Sequence, residues 1–207
     1  YKLYLMRNYY DGETISTAYD FTNEITGMPE GWLSSTNLLG TNDGFYGVAS
    51  PSLRFTQKNQ YLVMTNGGAN ITNVKFWMRA QQPGKGSKLE VYIENGEEWK
   101  LADEITLTSG NGEVYNIEVD PTTAVKLRYN RRSSGILYID DVEVSGKQQR
   151  DFPGVNGKET EYNDMTFGAL DSNAYYTFTV SGICNGVESL KSDPVQVKTL
   201  SGTDGIK

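Results

Sequence analysis

The chain of 207 residues contains no histidine and a single cysteine, Cys184. The absence of histidine excludes Ser-His-Asp and Cys-His catalysis, histidine metal ligands and a histidine pH switch. A single cysteine excludes an internal disulfide framework and a cysteine-based zinc cluster. These absences favour a protein that is not an enzyme.

Long apolar runs and a basic surface are also missing. No apolar run approaches the roughly 18 residues that would span a bilayer, so membrane insertion is not expected. The formal net charge is −7, which argues against a nucleic-acid partner because phosphate binding requires a basic face. The first residues, Tyr1 to Tyr4, read as a strand rather than a signal peptide. We therefore expect a mature segment cut from a larger protein.

Residues typical of strands and turns are abundant. The chain has 22 glycines and 14 tyrosines, and its many Thr, Asn and Ser residues also suit strands joined by turns. No window shows helical periodicity, and the longest apolar patterns alternate with a period of two residues. Many short strands at this spacing predict an all-β protein built as a sandwich or jelly roll.

One strand-like stretch, Gly-Ile-Leu-Tyr-Ile-Asp-Asp-Val-Glu-Val, carries the most specific local signal. Leu137 and Ile139 share one face of the strand, whereas Val142 and Val144 share the other. The apolar residues thus switch from odd-numbered to even-numbered positions at Asp140-Asp141, and we call this switch the parity change. Either the strand has a bulge there, or one aspartate points into the interior. A buried carboxylate is costly unless it is paired or bound to a cation, so the stretch also points to a metal site.

Three predicted strands alternate apolar and polar residues, which gives each strand an inner and an outer face. The predicted inner residues are Val74, Phe76, Met78, Leu89, Val91, Ile93, Val125, Leu127 and Tyr129. If the three strands share one sheet, its outer face carries Trp77, Arg79, Glu90, Tyr92 and Arg128. An aromatic ring flanked by charged groups can hold a sugar, because apolar C–H groups stack on the ring and hydroxyls bond to the polar groups. Alternatively, a loop or the rest of the chain covers this face.

Other aromatic and acidic residues are assigned simpler roles. Trp32 and Trp99 each follow a turn beside an apolar strand and are predicted to anchor the core or a loop. The adjacent acids at 97–98 and 103–104 could nominally form a glycosidase pair. Their position in a hairpin predicts exposed, solvated charge instead.

The C-terminal stretch carries a spaced pattern of apolar and serine residues. The pattern consists of Leu170, Tyr176, Phe178, Val180, Gly186, Ser189 and Ser192. It resembles the second half of a fibronectin type III domain, although Ser172 replaces the family proline and Ala174 the family threonine. The resemblance implies that the Tyr176 hydroxyl pins a loop by hydrogen bonding to backbone.

The first half of that fibronectin-like domain does not precede this stretch directly. The segment from Tyr1 to Met6 looks like a middle strand of the same domain, and we expect it to pair with Tyr175 to Ser181 or with Val195 to Leu200. The residues between would then be an insertion. The predicted domains are 17–146, a jelly-roll sandwich; 1–16 with 147–200, a partial fibronectin type III-like domain; and 201–207, a tail.

Six motifs follow one another along the predicted insertion. They are Tyr-Asp-Phe (19–21), Met-Pro-Glu-Gly-Trp (28–32), Ser-Pro-Ser-Leu-Arg-Phe (50–55), Val-Lys-Phe-Trp-Met-Arg (74–79), Trp99 and Tyr-Ile-Asp-Asp-Val (138–142). Their order and spacing resemble the jelly-roll modules of secreted and surface proteins of Bacteroidetes, which are similar to cleaved-adhesin, MAM-like and galactose-binding-like sandwiches. The resemblance implies secretion, an accessory role without catalysis and, in some modules, calcium.

A structural calcium ion in such a module lies between the first strand and the last. Here it would be bound by Asp140 or Asp141, with Asp20, Asn23 or Glu24 across the sheet. Calcium takes about six to eight oxygen ligands. The alternative is one solvent-facing acid beside one acid that is bonded to backbone at a bulge.

These observations favour a non-catalytic module for adhesion or carbohydrate binding. The resemblance implies an extracellular or cell-surface location within a larger secreted bacterial protein associated with the outer membrane. The expected partner is a glycan or a host or cell-surface protein. Two alternatives stay open: the ancillary C-terminal region of a secreted peptidase or glycosidase whose catalytic domain lies outside this chain, and a structural spacer without a ligand.

Overall fold

The computed structural model describes residues 1–9, 13–96, 98–147, 150–161, 170–172 and 174–200. Glu97 and the predicted tail 201–207 lie outside the described residues. The strands are β1 (Lys2–Tyr9), β2 (Thr14–Tyr19), β3 (Leu33–Ser34), β4 (Leu39–Gly40), β5 (Ser52–Phe55), β6 (Tyr61–Thr65), β7 (Ile71–Gln81), β8 (Lys88–Asn95), β9 (Glu98–Thr106), β10 (Glu113–Thr122), β11 (Ala124–Asn130), β12 (Ile136–Lys147), β13 (Arg150–Glu159), β14 (Tyr175–Ser181), β15 (Ile183–Cys184), β16 (Val187–Glu188) and β17 (Val195–Lys198).

One short 3-10 helix, Ile25–Gly27, interrupts this series of strands. The all-β fold class predicted from the period-two alternation is therefore confirmed over the described residues. Within the same residues, no helix is long and apolar enough to cross a membrane.

The chain divides into two compact units. A central unit comprises residues 13–148, and a terminal unit comprises residues 1–12 together with 149–207. The central unit therefore interrupts the terminal unit in the sequence.

The central unit is a β-sandwich of two antiparallel sheets. The β7 sheet has the strand order β10-β7-β12-β5-β4, with β2 also paired to β12. The β8 sheet has the order β3-β6-β11-β8-β9. Alternating residues of both sheets form one apolar core, and Phe76, Leu89 and Ile139 within it are fully buried. The nine predicted inner residues all belong to this core.

A β-bulge explains the parity change in β12. The register of β12 against β7 shifts between Asp140 and Glu143, and Asp141 has a positive φ of 46°. The extra residue returns Val142 to the same inner face as Ile139, and both are fully buried in the core. The bulge alternative is therefore correct. Asp140 pairs with Trp77 of β7 and hence lies on the outer side of the sheet.

The terminal unit contains a four-stranded antiparallel sheet with the order β13-β1-β14-β17. β1 pairs with β14 through partners such as Leu5 and Phe178, so the predicted pairing of the first strand is confirmed. The backbone N–H of Asp171 donates a hydrogen bond to the Tyr176 hydroxyl over 2.9 Å. Among the described residues of this unit, Leu5, Ala174 and Tyr176 form a buried apolar cluster.

Candidate functional site

The five residues predicted to share one outer face lie on two different sheets. Trp77 and Arg79 are on β7, whereas Glu90 and Tyr92 are on β8 and Arg128 is on β11. β7 belongs to one sheet of the sandwich, and β8 and β11 belong to the other. The prediction of a single face is therefore wrong. Alternation identifies which side chains point outward but does not say which strands pair.

The outer surface of the β8 sheet carries a cluster of aromatic and charged side chains. We call this cluster the charged face and define it as Glu90, Tyr92, Trp99, Lys126 and Arg128. Antiparallel pairing sets Lys126 opposite Tyr92 and Arg128 opposite Glu90, and β9 brings Trp99 to the same surface beside Lys126. Three neighbouring strands thus build one surface.

Glu90 is the centre of a hydrogen-bond network on the charged face. Its Oε2 accepts hydrogen bonds from the Nε of Arg128 over 2.8 Å and from the Tyr92 hydroxyl over 3.1 Å. Its Oε1 accepts a bond from the Asn130 Nδ2 over 2.7 Å, and the Arg128 Nη2 lies 2.7 Å from Oε2. Burial opposes ionisation of this carboxyl, but the donors from Arg128 and Asn130 outweigh it, and the pKa of Glu90 is lowered. The network fixes an ionised carboxylate.

Two cations of the charged face lie over aromatic rings. The Lys126 ammonium is 4.0 Å from the centre of the Trp99 ring and 5.3 Å from that of Tyr92. The Arg128 guanidinium carbon is 4.6 Å from the Tyr92 ring centre. Burial and the neighbouring charge of Arg128 lower the pKa of Lys126. In these contacts the hydrogen-bond donors lie over the faces of the aromatic rings.

Sequence reasoning missed two members of the charged face. The sequence predicts an anchor role for Trp99 and does not single out Lys126. Cross-strand neighbours become visible in a sequence only when the strand partners are known. The register shift between Val91 and Tyr92 in the β8–β9 pair further hides the position of Trp99.

Arg79 holds loops on the outer surface of the β7 sheet. Its Nε donates to the carbonyl of Gly110 over 3.0 Å, and its Nη1 donates to the carbonyl of Gly44. Its guanidinium carbon lies 4.2 Å from the centre of the Phe45 ring. A loop therefore covers this part of the sheet, as the alternative interpretation proposed. Arg79 is a structural residue in this arrangement.

Asp140 lies fully buried beneath the same loop. Its Oδ2 accepts a hydrogen bond from the Gly47 N–H over 2.8 Å, and its Oδ1 accepts one from the Asp141 N–H over 2.9 Å. Burial, together with the negative charges of Asp141 and Asp20, raises the pKa of Asp140 to about 7, although the two backbone donors oppose this rise. The buried acid fastens the loop to the bulge.

The adjacent Asp141 explains why glycine occupies position 47. The Oδ2 of Asp141 accepts a hydrogen bond from the Val48 N–H over 2.8 Å. A Cβ atom at Gly47 would lie 1.9 Å from that carboxylate oxygen, so a larger residue would force the loop away from the bulge.

Three of the predicted calcium ligands already accept hydrogen bonds. Backbone N–H groups bond to Asp140 and Asp141, and Asp20 Oδ1 accepts bonds from the backbone and hydroxyl of Thr22 over 3.1 and 2.7 Å. In the described parts of the chain, no three acidic, histidine or cysteine residues are grouped so that they could hold a metal. These three carboxylates are therefore oriented by hydrogen bonds that do not depend on a cation.

A cleft nevertheless lies beside the bulge, on the outer side of the β7 sheet. We call it the bulge cleft. It has a volume of about 610 Å³, which is within the usual range for small-molecule sites. Trp77 from the predicted sugar site lines it together with Asp20, Asn23 and Asp141 from the predicted metal site. The structure thus joins parts of two predicted sites, and it adds Lys75 and Glu143, which the sequence did not single out.

No protein-family model and no curated protein sequence matches the chain. Solved structures that resemble it include a family 29 carbohydrate-binding module, with 15% identity, a TM-score of 0.43, and coverage of 63% of this chain and 88% of the module. The K3 cleaved adhesin domain of Lys-gingipain from Porphyromonas gingivalis has 15% identity and a TM-score of 0.49, and the match covers 64% of this chain and 99% of that domain. At TM-scores below 0.5, these likenesses carry no argument about the function of this chain.

Proposed function

We propose that the chain is a non-catalytic module that binds carbohydrate through the charged face. The observation that carries the proposal is the combination of two aromatic rings, Tyr92 and Trp99, with hydrogen-bonding groups that are already fixed. Both rings are partly exposed. Arg128 and Lys126 supply donors over these rings, and the buried Glu90 carboxylate holds Arg128 in place.

The proposal follows from the chemistry of sugars. A sugar ring presents apolar C–H groups on its face and hydroxyl groups around its edge, so it needs an aromatic surface flanked by donors and acceptors. Groups that are held in place before binding lose little conformational entropy when the ligand arrives. The bonds of Glu90 to Arg128 and Asn130 provide this order.

The same contacts argue against catalysis at the charged face. A glycosidase needs two carboxyl groups on either side of the scissile bond, and one of them must be protonated near neutral pH. Glu90 is the acid at the centre of this face, and its lowered pKa keeps it ionised. Asp140 has a raised pKa, but it is fully buried beneath a loop and bonded to backbone, so it does not reach a substrate.

We further infer that the sandwich is a jelly-roll domain of residues 17–146 inserted in a partial fibronectin type III-like domain of residues 1–16 and 147–200. The two compact units support this division. The Tyr176 hydroxyl bonded to backbone supports the fibronectin-like assignment. In this view the chain is an extracellular accessory part of a larger secreted or surface protein, acting in adhesion or in bringing a partner domain to a glycan.

Calorimetric titration with neutral soluble hexasaccharides of β-linked glucose, mannose, xylose and N-acetylglucosamine tests the proposal. At least one of these probes should bind the wild-type chain, and Tyr92→Ala should weaken binding by about tenfold or more because a stacking surface is lost. Lys58→Ala, on an exposed turn of the same unit, serves as the matched control and should bind like the wild type.

Two outcomes would contradict the proposal. Equal affinities of the Tyr92→Ala variant and the wild type would place the ligand elsewhere. Absence of binding to every probe, and to a broader glycan array, would favour the spacer without a ligand.

A further inference from the structure

We infer that the bulge cleft is a second carbohydrate-binding site, separate from the charged face, which takes the end or a branch of a glycan chain. The inference deepens the proposed function because it assumes that the module binds sugars. It is carried by different residues on the other sheet of the sandwich. Each site can therefore be tested by measurements that do not depend on the other site.

The cleft has an apolar surface suited to the face of a sugar ring. Trp77 is half-buried and lines it. A Cβ atom at Gly112 would lie 1.9 Å from the indole Cζ2, so the ring lies directly against the backbone at this glycine and is held in place. Val48 and Val114 are 88% and 62% exposed at the rim. Exposed valines beside a fixed indole offer an apolar surface that is open to a ligand.

The polar lining of the cleft contains both donors and acceptors. Asn23 and Lys75 can donate hydrogen bonds, and Asp20, Asp141 and Glu143 can accept them. A sugar hydroxyl both donates and accepts, so a mixed lining fits it better than it fits a simple ion. Lys75 lies directly opposite Glu143 in the β7–β12 pair, which places a donor and an acceptor on adjacent strands.

Two of the acceptors are already held in position. Asp141 accepts the backbone N–H of Val48 over 2.8 Å, and Asp20 accepts the backbone N–H of Thr22 over 3.1 Å. Each bond orients a carboxylate that lines the cleft. Preorganised acceptors reduce the entropy that a ligand must overcome.

The walls of the cleft indicate what part of a glycan it accepts. The loop that contains Val48 and the turn from Asp20 to Asn23 both line it, above strands β7, β10 and β12. Because loops form walls here, we assign a terminal or branching sugar to the cleft, whereas the charged face lies on the strands of a sheet. The two sites are on the outer sides of opposite sheets, so one chain can hold two glycans and gain avidity on a multivalent surface.

The three tryptophans provide separate reporters for a direct test. Trp77 reports on the cleft and Trp99 on the charged face. Trp32 is buried, and its indole N–H donates to the Thr65 carbonyl over 2.8 Å, so it is an internal control. The indole N–H signals of ¹⁵N-labelled protein can be followed while methyl glycosides of glucose, galactose, mannose and N-acetylglucosamine are added, followed by the hexasaccharides used above.

We expect at least one methyl glycoside to shift the Trp77 signal and leave the Trp32 signal unchanged. Asn23→Ala changes an exposed cleft residue and should weaken this response about tenfold, whereas Tyr92→Ala should leave it within about twofold. A Trp99 response without any Trp77 response would overturn the second site and leave the proposed function intact. A Trp77 response alone would support the cleft and overturn the charged face. No response at either tryptophan would overturn both.

Discussion

The two units of the chain are both built from strands, but they bury apolar side chains to different extents. In the central unit two sheets pack face to face, and Phe76 and Leu127 are fully buried between them. Among its described residues, the terminal unit has a four-stranded sheet, the pair β15-β16 and a buried cluster of Leu5, Ala174 and Tyr176. Its edge strand β17 leaves Val195 and Val197 59% and 41% exposed. A sheet gains stability mainly from a second layer, so we expect the central unit to be the more stable one.

The same difference determines where rigid binding surfaces occur. The core of the central unit fixes both outer faces, and side chains such as Arg128 and Asp141 are then positioned by neighbouring strands and loops. Preorganised sites require such support. The comparison between the two units can be tested by perturbing each one separately.

The largest effect is expected from deleting residues 1–8. This change removes most of β1, which lies between β13 and β14 in the terminal sheet. A lone strand pair is marginal in water, so amides of β14 should lose most of their protection in hydrogen exchange. Amides of β7 and β12 in the central unit should keep theirs. Opening of the central unit with an unchanged β14 would contradict the division into these two units.

Truncation of the central core should have the next largest effect. Phe76→Ala removes a fully buried ring and should lower the free energy of unfolding of the central unit by about 3–5 kcal/mol. Urea denaturation followed by tryptophan fluorescence measures this change. Val114→Ala, on the adjacent strand and 62% exposed, is the matched control and should cost less than about 0.5 kcal/mol. Equal costs for both variants would refute the placement of the core.

Asp140 should make the stability of the central unit depend on pH. Its pKa is about 7 in the folded state and 3.8 as a free group, so between these values the folded state binds the proton more tightly than the unfolded state. The contribution is fully present below about pH 4 and is lost as the pH rises through 7. It amounts to roughly 4 kcal/mol at most.

Urea denaturation of the wild type and of Asp140→Asn between pH 4 and 8 measures this contribution. The variant should be less stable overall, because an amide cannot accept bonds from both Gly47 and Asp141. Its stability should nevertheless fall less steeply with rising pH. Parallel pH profiles for the two proteins would show that Asp140 is not the responsible group.

The smallest effect is expected from calcium. Backbone N–H groups already bond to Asp140 and Asp141, and the described residues contain no group of three acids placed to hold a metal. Melting curves in millimolar calcium and in chelator should therefore superimpose. A higher melting temperature in calcium that disappears in Asp141→Asn would restore the metal site predicted from the sequence.

The bulge in β12 shows which structural features the local alternation of apolar residues could predict and which it could not. The parity change between Ile139 and Val142 predicted an irregularity at the two aspartates, and the structure has a bulge there. The sequence offered no sign that the loop at Gly47, 93 residues away from Asp140 in sequence, supplies the hydrogen bond. The sequence leaves calcium and an acid bonded to backbone open as alternatives at this position, and the structure shows the backbone bonds.

The chain's sequence by itself determined the all-β class and the inner and outer faces of β7, β8 and β11, because alternation with a period of two reflects burial directly. It placed β1 beside a C-terminal strand but left β14 and β17 open as partners, and the structure selects β14. Only the tertiary structure decided that Trp77 and Tyr92 lie on opposite sheets. It also decided that Trp77 shares a cleft with Asp141, and that Lys126 lies over Trp99. Strand order and loop placement depend on contacts between residues far apart in the chain, and a local pattern does not encode them.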